Sequence, residues 1–118
     1  MPRKLSDFEK KHSLEERKKA SVSLKTNHSD RIPVILCRGS NGLPLLDRTK
    51  YLVPRDTTMG KFMAEIRKTL ILSEFNALFL FVNDVLVPAG SIMSDVYEKH
   101  QAADGFLYIS YHSENTFG

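Results

Sequence analysis

The chain has 118 residues, 42% hydrophobic and 26% charged, an ordinary balance for a globular protein with one domain and one core. Its net charge of +3 is uneven: residues 1–31 hold nine Lys/Arg against five Asp/Glu, and the remainder holds eight against nine. The longest apolar run, Ala77 to Val82, has six residues, and "MPRKLSDFEKKHSLEERKKA" is charged throughout, which argues against a membrane span and a secretory signal and for a cytosolic or nuclear setting.

Two short helices are expected before residue 31, with a break near "KHS". Leu5, Phe8 and His12 share a face of the first; Leu14, Ala20 and Leu24 are the inward positions of the second. The basic excess of this segment either attracts an acidic surface or forms a solvated helix face. It has no interleaved aromatics for base stacking, so nucleic-acid binding is not expected.

After "NHSDR" the pattern changes. "RIPVILC" reads as a strand, with Pro33 near its start, where a missing N–H does least harm. Cys37, the only cysteine, lies in this run, and a buried, inert thiol is expected because a nucleophile needs exposure and a neighbouring base. "RGSNGLP" supplies a turn, and "KYLVP" a second strand closed by Pro54. Met59, Phe62, Met63, Ile66 and Leu70 then fall at helical spacing. "ALFLFV" reads as a strand covered on both faces, turned by Asn83-Asp84 into the short strand "VLV". Ile92, Met93, Val96 and Tyr97 mark a last helix, "AADG" breaks it, and "FLYISY" is the last strand.

An enzyme fares poorly. No Ser/His/Asp or Cys/His arrangement can be assembled, and "GSNG" lacks the Lys-Ser/Thr of a phosphate loop. His12, His28, His100 and His112 are scattered, best read as surface or helix-end residues, and no metal or cofactor is expected. Strand, strand, helix, strand, short strand, short helix, strand is the α+β order of the ubiquitin-like β-grasp, with two additional N-terminal helices. The expected division is a helical extension (1–30) packed on the domain, a β-grasp core (31–113) and a flexible C-terminal tail (114–118).

"RIPVI", "KYLVP", "IRK", "LFLFVND", "DGFLYISY" and "ENTFG" occur in that order. In this the chain resembles the autophagy ubiquitin-like modifiers, the family of the GABA-receptor-associated protein and the microtubule-associated protein light chain three. The resemblance implies that the carboxylate of Gly118 is adenylated, passed to a cysteine of a conjugation enzyme and joined to phosphatidylethanolamine. Glycine, with no Cβ, can thread a narrow enzyme channel. Phe117, Phe79 and Phe81 are the expected contacts for conjugation enzymes. Activating and conjugating enzymes and a processing or deconjugating cysteine protease are the implied partners, and autophagosomal membranes the implied location of the lipidated form. Taken alone, a terminal glycine is bland; following "ENTF" it reads as the conjugation point. A chain that ends there is either born ready or trimmed from a precursor.

The resemblance also implies a groove for cargo receptors that carry aromatic-x-x-aliphatic motifs beside acidic residues, with "KYLV" as the edge that the motif joins. The aromatic pocket falls on Ala20, Leu24, Pro33, Ile35, Lys50, Leu52 and Phe106. The aliphatic pocket falls on Tyr51, Val53, Pro54, Thr57, Phe62 and Glu65. Arg31, Lys50 and Arg67 are implied partners for the motif's acidic residues or, for Arg67, for the motif's end. Apart from the resemblance, most of Leu24, Pro33, Ile35, Leu52 and Phe106 read as core. Ala20 stands where the family commonly has Glu, Thr57 and Glu65 where it has aliphatics, and Ser13 where it has a proline, so an altered motif preference is expected. The alternative function is a non-conjugated adaptor that carries cargo or binds microtubules through its basic helices.

Overall fold

The computed structural model describes residues 6–39, 42–72 and 77–113. Helix α1 (Asp7–Lys11) and helix α2 (Leu14–Asn27) each open on a reciprocal cap, Ser6 with Glu9 and Ser13 with Glu16. In both caps the serine hydroxyl accepts from the third helical N–H and the glutamate accepts from the serine N–H. His12 is extended between them, so the break expected at "KHS" is a second helix start. The side chains of α2 that turn inward are Arg17, Ala20, Ser21 and Leu24. Leu14, expected inward, is 41% exposed, because it occupies the first turn, ahead of the sheet.

Strands β1 (Arg31–Arg38), β2 (Lys50–Pro54), β3 (Leu78–Val82), β4 (Val85–Leu86) and β5 (Leu107–Ser113) form one sheet in the order β2-β1-β5-β3-β4. β1 runs parallel to β5, with Val34 opposite Leu107 and Cys37 opposite Ser110; the other pairs are antiparallel. Helix α3 (Met59–Leu70) and helix α4 (Met93–His100) complete the element order read from the sequence. α3 is capped by Thr58, and Met59, Phe62, Ile66 and Leu70 are its buried positions, with Met63 half-buried.

Side-chain alternation divides the sheet into two faces. Ile32, Val34, Leu36, Val53, Leu78, Leu80, Val82, Leu107, Ile109 and Tyr111 join α3 and α4 in the main core. Ile35, Phe106 and Tyr108 form a second cluster on the opposite face, against Phe8, Ala20 and Leu24. The leading helices therefore cover the side of the sheet that α3 leaves open.

Four further expectations are corrected. "ALFLFV" is not covered on both faces: Leu78, Leu80 and Val82 are buried, whereas Phe79 and Phe81 are half-buried, because α1 and α2 reach only the β1–β5 part of their face. Cys37, near the end of β1, packs against the edge of the Ile35–Phe106–Tyr108 cluster and is half-buried rather than buried. Ile92 does not lie within α4 but caps it, and is 40% exposed. His112 is neither surface nor helix-end: it is a half-buried residue of β5. His12, His28 and His100 do mark helix ends.

Candidate functional site

β2 is an outer strand of the sheet, so among the described residues one side of its backbone has no strand partner. Thr49 C=O accepts from Leu36 N–H at 2.7 Å. By alternation Tyr51 and Val53 also bond toward β1, and the backbone groups of Lys50 and Leu52 point away from the sheet. Pro33, opposite Leu52, has no N–H to give, which fits this phase.

The side chains of β2 alternate in the other direction. Lys50 and Leu52 share the α2 face with Ala20, Leu24, Pro33, Ile35 and Phe106, whereas Tyr51 and Val53 share the α3 face with Phe62. Pro33, Ile35 and Phe106 are buried; Ala20, Leu24 and Leu52 are half-buried and Lys50 is exposed. The first three form a floor and the last four a rim, so this set is both core and accessible strip. On the other face, Val53 and Phe62 are buried, Tyr51 and Thr57 half-buried, and Pro54 and Glu65 exposed. Tyr51 packs edge-on to Phe62 at 5.9 Å and donates its hydroxyl to Arg48 C=O at 3.0 Å. Glu65 lies 3.9 Å from Lys68, at the exposed end of this set. Arg31 is exposed and Arg67 half-buried.

Phe8 joins the aromatic set, which the sequence reading did not foresee. Its ring meets Phe106 edge-on at 5.2 Å and carries the Lys50 ammonium 5.3 Å from its centroid. Its place in α1 gave the sequence reading an inward face without saying what that face touches.

A buried polar latch holds α2 beside this set. Asp104 is 1% exposed. Its carboxylate takes Arg17 Nη1 at 2.9 Å and Phe106 N–H at 2.9 Å, and accepts the Tyr108 hydroxyl. Ser21, the buried residue of α2, donates to Asp104 C=O. Glu9 of α1 lies 3.6 Å from the same Arg17 nitrogen. Burial, and then the bond to Asp104, push the Tyr108 hydroxyl well above the usual tyrosine range. Neither Arg17 nor Asp104 was singled out in the sequence, where Asp104 reads as part of the helix-breaking "AADG" and as the first residue of "DGFLYISY".

Phe79 and Phe81 lie away from β2, on β3, across β1 and β5. Phe81 lines a hollow of about 580 Å³ with Cys37, Ser110 and His112 among its walls. His112 stacks edge-on to Phe81 at 4.7 Å and shares a hydrogen bond with Ser110 Oγ at 2.9 Å. Burial pushes the His112 imidazole below its usual range, opposed by Asp84. Phe117 and Gly118 lie outside the described residues, as does Leu5. Among the described residues no His/Cys/Asp/Glu group could hold a metal ion, and no helix is long and apolar enough to cross a membrane.

A family model described as "Autophagy protein Atg8 ubiquitin like" matches residues 16–118. Autophagy-related protein 8d of Arabidopsis thaliana is 46% identical over 115 residues, covering 97% of this chain and 96% of the relative. Autophagy-related protein 8 of Neurospora crassa is 46% identical over 114 residues, covering 96% and 94%. The crystal structure of Trypanosoma brucei ATG8 superposes with a TM-score of 0.88 at 37% identity, over 94% of this chain and 97% of that one.

Proposed function

Because the chain belongs to the Atg8 family of autophagy ubiquitin-like proteins, we propose that it acts as a conjugated modifier rather than an enzyme. Its Gly118 carboxylate is activated as an adenylate, carried on an enzyme cysteine as a thioester and released as an amide of phosphatidylethanolamine. The conjugate recruits cargo receptors to autophagosomal membranes through the open edge of β2. Phe117, Phe79 and Phe81 serve the activating and conjugating enzymes, and a cysteine protease reverses the linkage.

One observation carries the receptor half of this reading. The two expected pocket sets lie on opposite faces of one open-edged strand. Residues three apart in an extended peptide also point to opposite faces. An aromatic-x-x-aliphatic segment added along β2 therefore delivers its aromatic toward Leu24, Leu52 and Phe106 and its aliphatic toward Tyr51, Val53 and Phe62, while its backbone bonds to Lys50 and Leu52. Thr57 and Glu65 make the second site more polar than a wholly aliphatic one, so an acidic residue there is disfavoured.

Titrating the chain with an aromatic-x-x-leucine peptide, by calorimetry with amide shifts, should give saturable binding with shifts along β2. Leu52→Ala should weaken it by about tenfold, the effect of a half-buried leucine contact. Absence of saturable binding removes the receptor claim. For conjugation, Gly118 deletion should abolish the lipidated species formed with the activating and conjugating enzymes and phosphatidylethanolamine. A full-strength lipidated band from the deletion refutes it.

A further inference from the structure

Two outward carbonyls of β2 are already taken by side chains. Arg48 Nε donates to Lys50 C=O at 2.9 Å, and Arg31 Nη1 donates to Leu52 C=O at 3.4 Å. The third, Pro54 C=O, accepts the turn bond from Thr57 N–H at 3.1 Å. The carbonyls of Lys50 and Leu52 are acceptors that an added strand would use. The arginines reach them from different places: Arg48 from the segment entering β2, and Arg31 from the first residue of β1. Arg48 is held further by its guanidinium, 5.2 Å from the centroid of the Tyr51 ring, while Tyr51 donates its hydroxyl back to Arg48 C=O.

We propose that Arg31 and Arg48 guard the open edge of β2, so that it admits extended peptides whose carboxylates take over the two guanidiniums. The proposal rests on β2 being the docking edge. Unpaired edge strands invite indiscriminate pairing with other chains, and charged side chains are a common protection. Here the charges do more than repel, since they occupy the acceptors themselves. A neutral strand must displace both guanidiniums and leave each without its acceptor. An acidic strand displaces them and supplies carboxylates that receive them through stronger, charge-assisted bonds. The exposed positive charges of Arg31, Arg48 and Lys50 along this edge favour the same class of peptide. Acidic flanks thus act as keys to the backbone, in addition to any long-range attraction.

Guarding and attraction make different predictions for a neutral ligand: tighter binding without the arginines in the first case, unchanged binding in the second. Two synthetic peptides would share one aromatic-x-x-leucine core, flanked by Asp/Glu in one and by Asn/Gln in the other. Each is titrated by calorimetry into the full chain and into the Arg31→Gln/Arg48→Gln double variant. Removal of the guard should tighten the neutral peptide by about two- to fivefold and weaken the acidic one by a similar factor, the scale of exposed charge pairs. The preference for acidic flanks should collapse accordingly. Both arginines are exposed, and an unchanged urea midpoint verifies that the variant folds. A neutral peptide that binds the double variant no tighter than the unaltered chain overturns the guard and leaves the docking edge standing. An unaltered chain that binds neither peptide overturns the docking edge and the guard together.

Discussion

Ile71, Asn83, Asp84 and Gly105 hold left-handed backbone, with φ of 55°, 51°, 63° and 88°. Asn83 and Asp84 are residue types that tolerate it, and as a pair they make the tight β3–β4 hairpin that the sequence announced. Gly105 is required twice over. A Cβ there would sit 2.4 Å from Ser21 Oγ, and the φ itself disfavours a side chain. Ile71 is the anomaly, a β-branched residue capping α3 with 89% of its surface exposed; nothing in "TLIL" signalled it. Gly105→Ala should lower the unfolding free energy by about 2 kcal/mol. Ile71→Asn, which suits a left-handed cap, should raise it by about 0.5 kcal/mol. Urea denaturation of the two variants measures both signs.

At the scale of elements, α2 is the instructive case. Its inward line, Arg17, Ala20, Ser21 and Leu24, is half polar, so apolar periodicity gave a weak signal and put Leu14 where it does not belong. The polar members are satisfied by Asp104, 83 and 87 residues away in sequence. Removing one member of a buried pair costs more than the pair contributes, because the other stays desolvated. Arg17→Met, which strands the carboxylate with Tyr108 and Phe106 N–H as its remaining partners among those described, should cost about 3 kcal/mol. Asp104→Ala should cost at least as much, since it leaves Arg17, Tyr108 and Phe106 N–H without that acceptor. In both variants amide exchange at Ala20 and Leu24 should quicken and motif binding weaken, because the latch positions the α2 rim. Unchanged exchange would mean that apolar packing alone seats the helix.

For the molecule as a whole, no helix among the described residues is long and apolar enough to cross a membrane, and the proposed function assigns membrane attachment to the conjugated lipid. Two acyl chains on one conjugated phospholipid suffice for stable anchoring, whereas weak surface charge does not. Unconjugated chain should therefore stay in the supernatant when neutral vesicles are sedimented, and the phosphatidylethanolamine conjugate should pellet with them. Pelleting of the unconjugated chain would point to a direct lipid surface on the protein. The proposed docking edge and the proposed enzyme contacts lie apart: β2 is at one edge of the sheet, Phe79 and Phe81 lie on β3 toward the other, and α1 and α2 close the sheet between.

The sequence alone determined the order and kind of elements, because strand alternation, the α3 stripe and the turn residues are local signals that tertiary packing here reinforces. It also carried the family, through six collinear stretches. Which sheet face each residue joins follows from strand phase, yet only tertiary structure decided what covers each face: α3 and α4 on one, α1 and α2 on part of the other. The same holds for the Asp104 latch, for Phe8 beside Lys50 and for the two arginines on the β2 carbonyls. Each joins groups distant in the chain or a side chain to a backbone atom, and a one-dimensional pattern of apolar and polar residues records neither.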